Sequence, residues 1–161
     1  METTNLGARV REILDGGGGE AAGELRFLPL VTLDSEARYG LDAEARWIIV
    51  PAEGPVVRYE PATAHLFHEA LEWKRDRFDD AIEESARAGG LPPIDVVFSF
   101  PAVDVVRAVL AKEHAYLTRI ALQWIRPTEL RELRAAIKAV ALAPNMPLPV
   151  KDLAERLIVP E

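Results

Sequence analysis

Three features of the sequence predict an α+β fold. Short runs rich in branched and aromatic residues fill 25–60, apolar residues recur at helical intervals over 62–88 and everywhere after 101, and a nearly all-apolar run at 94–100 lies between. Together they predict a small mixed sheet of about four strands packed with helices, an antiparallel meander plus one strand-helix-strand crossover, followed by an all-helical C-terminal part.

The elements follow in order. Leu6, Val10, Ile13 and Leu14 share a helical face after the capping candidates Thr3, Thr4 and Asn5, and Gly16 to Gly19 end that helix. These glycines follow a helix rather than a strand and no Lys-Ser/Thr pair comes after them, so they are expected to be a joint, not a phosphate cradle. Residues 25–33, 46–50 and 56–60 read as strands, the last two joined as a hairpin by residues 51–55, and the longer connection at 34–44 is expected to hold a helical turn.

Pro61 opens a long helix over residues 62–88, which Gly89-Gly90 and Pro92-Pro93 close. Residues 94–100 have the all-apolar character of a strand covered on both sides, which completes the crossover. Helices are predicted over 103–125, with a break at His114-Ala115, over 127–142 and over 150–158; residues 143–149 form a rigid loop. The core is expected to contain Phe67, Leu71, Phe78, Val96, Val97, Phe98, Val106 and Leu110. All 161 residues are expected to form one globular domain, with 1–100 supplying helix, strands and the long acidic helix and 101–161 its helical part.

Composition removes several kinds of chemistry. The chain has no cysteine, which excludes disulfides, thiolate nucleophiles and sulfur-ligated metals and suits a reducing compartment. No apolar run approaches the roughly 18 residues of a membrane span, and the first residues lack a basic-then-apolar leader, so a cytoplasmic location is expected. A net charge of −7 disfavours nucleic acid and anionic lipid and leaves room for a basic partner or a local basic face, and solubility alone would also explain it.

Four groups of residues are candidates for function. At α-helical spacing His65, His68, Glu69 and Glu72 fall within a sector of roughly 100°, where imidazole and carboxylate suit zinc, manganese or iron. Position 72 is Glu, so the zinc-protease pattern His-Glu-x-x-His is absent, and the same face continues through Asp76, Asp79, Asp80 and Glu83 as a solvated polar side would. His114 lies beside an apolar stripe, where a hydrogen-bonded structural role is expected. Ser99 sits where α/β enzymes place nucleophiles, but residues 97–101 lack the glycines of a nucleophile elbow, so capping or packing is expected. Arg131, Arg134 and Lys138, with Arg126 and Arg119 nearby, make a basic stripe interrupted by Glu129 and Glu132.

With no catalytic constellation and no cofactor fingerprint, the sequence predicts a small acidic intracellular protein of the immunity-factor, chaperone or adaptor type, acting through a surface and needing no cofactor. The expected partner-binding residues are Trp73 at the border of the polar and apolar faces and the carboxylates around it, Glu69, Glu72, Asp76 and Asp80. The alternative is a metal-dependent enzyme using His65, His68, Glu69 and Glu72.

Overall fold

The computed structural model describes residues 6–158, so the capping candidates Thr3, Thr4 and Asn5 lie outside the described residues. It is an α+β protein in which five antiparallel strands are followed by helices, with a wholly helical C-terminal part. The chain divides into two compact units, one of Met1–Thr63 with Asp76–Phe100 and one of Ala64–Arg75 with Pro101–Glu161.

The first unit opens with helix α1 (Leu6–Asp15), whose Val10 and Leu14 are buried at i and i+4. Strands β1 (Glu20–Ala22), β2 (Leu25–Thr32), β3 (Arg38–Asp42), β4 (Trp47–Val50) and β5 (Val57–Arg58) then pair in chain order as a meander. The hairpin expected across residues 51–55 is present as the β4–β5 pair. The segment expected to hold a helical turn is instead β3, in which Tyr39 and Leu41 are buried and face Ile49 and Trp47 across the ladder. Asp42 makes that hairpin possible: its buried carboxylate accepts the backbone N–H groups of Glu44 and Arg46 at 3.0 and 2.9 Å, closing an Asx turn in which Ala45 takes φ 59°. Gly40 is required on β3 for a different reason, because a Cβ there would lie 2.2 Å from the carbonyl oxygen of Leu28 on β2.

Helix α2 (Arg75–Ala88) and helix α3 (Pro93–Ser99) complete this unit. Residues 94–100 were expected as a buried strand, but Pro93–Ser99 is helical, so among the described residues there is neither the crossover nor a mixed sheet, and the sheet is antiparallel throughout. Pro93 in the first turn presets the helical φ, and Asp95 behind it complements the positive end of the helix. As a result Val96 is buried and Val97 half-buried, while Phe98 leaves the predicted core and is 81% exposed. An aromatic cluster of Tyr39, Trp47, Phe78 and Phe100 lies on one face of the sheet. Phe27, Ile48 and Val50 form a smaller cluster with Ala22, Leu25 and Val56.

The second unit holds a 3-10 segment, Pro61–Glu72, of which residues from Ala64 onward belong to it, and helices α4 (Ala102–Leu110), α5 (Ala115–Trp124), α6 (Leu130–Leu142) and α7 (Leu148–Ile158). The break expected at His114-Ala115 separates α4 from α5. Phe67, Leu71, Val106 and Leu110 are buried here as expected, with Ile120, Leu122, Leu133, Ile137 and Val140.

Candidate interaction surface

The long helix predicted over 62–88 is two elements of different pitch. Its first part is the 3-10 segment, kinked at Phe67 (φ −84°, ψ 15°), and α2 restarts at Arg75. Inward residues Ala64, Phe67 and Ala70 recur every third position, as a helix of three residues per turn requires. A tertiary bond lies at the restart: the carbonyl of Trp73 accepts the indole Nε1–H of Trp124 at 2.7 Å.

This change of pitch spreads the predicted metal face over two adjacent rows. His65 precedes the kink, while His68, Glu69 and Glu72 follow it; with i and i+3 eclipsed, Glu69 and Glu72 share a row that His68 does not. Among the described residues no three His, Cys, Asp or Glu side chains are placed to hold one metal ion. Glu72 instead accepts the hydroxyl of exposed Tyr116. That bond, and the charge of Glu72, hold the Tyr116 phenol above its ordinary value, against the opposing charge of Arg119.

The predicted partner-binding residues are likewise divided. Glu69 and Trp73 are half-buried and Glu72 is exposed in the second unit, whereas Asp76 and Asp80 are exposed on α2 of the first, so the five do not form one face of one helix. The other candidates have structural roles. His114 caps α5, its Nδ1 accepting the Leu117 N–H at 3.3 Å. Ser99 ends α3 and bridges, accepting from Trp47 Nε1 at 3.0 Å and donating to the Val96 carbonyl at 2.6 Å. Arg131, Arg134 and Lys138 are exposed along α6, and Arg134 reaches the carbonyl of Ile158 at 3.4 Å.

Arg75 and Glu129 form a bidentate ion pair in the second unit. Two parallel 2.9 Å hydrogen bonds join guanidinium to carboxylate, a third runs from Arg75 Nη1 to the Trp124 carbonyl, and the guanidinium lies 4.7 Å from the Trp124 ring centre. Burial acts to raise the Glu129 carboxyl, but the Arg75 bonds, the Arg126 backbone N–H and the two positive charges outweigh it and hold the group below its ordinary value. Each of these bonds ends on a protein group, which makes the cluster a clamp within the second unit, joining Arg75 to the end of α5 and the turn before α6.

The second unit also has a shallow cavity of about 200 Å³ lined by Leu110, Ala111, Glu113, Val140, Ala143 and Met146 among others. It is smaller than the roughly 300–1,000 Å³ of clefts that enclose small-molecule ligands.

The feature that stands out chemically is on α3. Ile94 and Phe98, one turn apart, are 65% and 81% exposed, while Val96 and Phe100 hold the opposite side of the helix in the core. A phenylalanine this exposed departs from the usual fate of that residue, and paired with Ile94 it makes a convex apolar ridge. The sequence carried a signal for the helix, though not for its exposed side: Pro92-Pro93 before an apolar run, with Asp95 in the first turn, marks a helix start. Comparison with family models, curated proteins and solved structures finds no match to the chain. No helix among the described residues is long and apolar enough to cross a membrane.

Proposed function

We propose that this protein works by binding another protein through its surface, in the manner of an immunity factor, chaperone or adaptor, and that the Ile94–Phe98 ridge of α3 anchors the contact. The observation that carries this reading is the exposure of Phe98 beside Ile94, because water-facing aromatic and aliphatic side chains supply large contact area once a partner covers them. Asp76 and Asp80 remain part of the proposed surface as exposed carboxylates of the same unit. A cytoplasmic setting accords with a cysteine-free chain.

Replacing Phe98 with Asp removes the anchor while touching little of the fold. Stability is expected to change by no more than about 0.5 kcal/mol, the usual range for an exposed position. In parallel affinity captures from native extract, wild type is expected to retain a partner that Phe98→Asp and Ile94→Asp both lose. Retention of the same partner by both variants, with folding intact, refutes the ridge as anchor. The Trp73→Ala variant separates the original Trp73 surface from this one, since only that surface requires it.

A further inference from the structure

We infer that the ridge is covered by a basic, apolar surface of a different protein, and not by a second copy of this chain. The inference rests on the protein-binding reading above and adds the chemistry of the partner. Charge is the first argument. The stretches that form the first unit, 1–63 and 76–100, carry 8 Lys/Arg against 17 Asp/Glu, whereas the remaining residues carry 11 against 9. The ridge therefore belongs to a unit of net charge −9 within a chain of −7. Two copies meeting ridge to ridge would bring two such units together, and like charges juxtaposed across an interface disfavour association and slow encounter.

Size is the second argument. Helix α3 has seven residues, so it is about 10 Å long, and two side chains on it fall far short of the roughly 800 Å² per partner that a stable interface buries. A short convex ridge of this kind serves as an anchor seated in a partner's apolar groove. The same unit carries further exposed carboxylates on α2, where Asp76, Asp80 and Glu84 recur every four residues and add to its negative charge.

The test uses the full chain and three labelled synthetic peptides followed by fluorescence anisotropy: an amphipathic helix of Leu and Lys, its Leu and Glu counterpart, and a Ser and Lys peptide of the same charge. The Leu-Lys peptide is expected to bind saturably at low ionic strength, at least about tenfold tighter than either of the others, and to weaken with added salt. Phe98→Asp is expected to weaken it by about tenfold or more, and the pair Asp80→Lys with Glu84→Lys to weaken it while leaving the fold intact. Equal binding of the Leu-Lys and Leu-Glu peptides, both lost in Phe98→Asp, overturns the basic partner and leaves the ridge standing. Leu-Lys binding that Phe98→Asp does not alter overturns the ridge itself, and with it the function proposed above. Sedimentation of the chain alone showing a dimer that Phe98→Asp dissociates assigns the ridge to a second copy and overturns the inference.

Discussion

Replacing Phe78 with Ala is expected to destabilise the protein by about 3–5 kcal/mol, lowering the melting temperature by roughly 10 °C or more. Phe78 is fully buried, and its ring meets Phe100 at 4.9 Å and Tyr39 at 6.3 Å between centroids, both edge to face. Removing it takes away the area it buries, leaves a cavity between α2 and the sheet, and deletes two aromatic contacts worth about 0.5–1.5 kcal/mol each. Phe98→Ala is the matched control, because the same atoms are deleted from a position facing water. Urea denaturation of the two variants separates burial from residue type: nearly equal midpoints would show that the aromatic cluster is not packed as described.

The contrast between these two phenylalanines also shows what the sequence could and could not reveal. Phe78 was legible because α2 alternates charged and apolar residues, so its period points Phe78 and Ile82 inward. Residues 94–100 offer no such alternation, and an all-apolar run has no period with which to choose between strand and helix. Pro92-Pro93 and Asp95 held the deciding information, in the start of the element rather than its body. For β3 the alternation of Tyr39 and Leu41 was present but brief, and the acidic residues on either side resembled a loop until Asp42 was seen to tie the turn to β4.

The candidate site was less legible than the fold for a related reason. Placing His65, His68, Glu69 and Glu72 on one face assumed α-helical pitch, whereas Pro61–Glu72 is a 3-10 segment, and just beyond it the indole of Trp124, 51 residues away, captures the carbonyl of Trp73. No local pattern encodes that bond. The Ile94–Phe98 ridge was hidden in the opposite way, since apolar residues in sequence are read as core, and only the orientation of α3 shows that two of them face water.

Cutting the clamp of the second unit is the other change expected to have a large effect. Arg75 and Glu129 have side chains only 15% and 16% exposed, so Arg75→Ala leaves a largely desolvated carboxylate with the Arg126 N–H as its remaining donor. The expected cost is about 3 kcal/mol, near the low end for breaking a buried pair because both groups keep some contact with water. Arg75→Lys should recover only part of this, since an ammonium can neither bond both carboxylate oxygens in parallel nor stack on Trp124 as the guanidinium does. The pH dependence follows from the lowered Glu129 value. A carboxyl depressed in the folded state contributes stability that is complete above its unfolded value, 4.5, and is lost as pH falls through the folded value. Glu129→Gln is therefore expected to melt below wild type near neutrality, and the gap should close as the solution is acidified below about pH 4.5, because protonation removes from wild type what the substitution has already removed. Calorimetric scans of both proteins from about pH 7 to about pH 3 provide the measurement. A gap that stays constant across that range would mean that Arg75 does not grip an ionised Glu129, and that the clamp is held by the stacking on Trp124 alone.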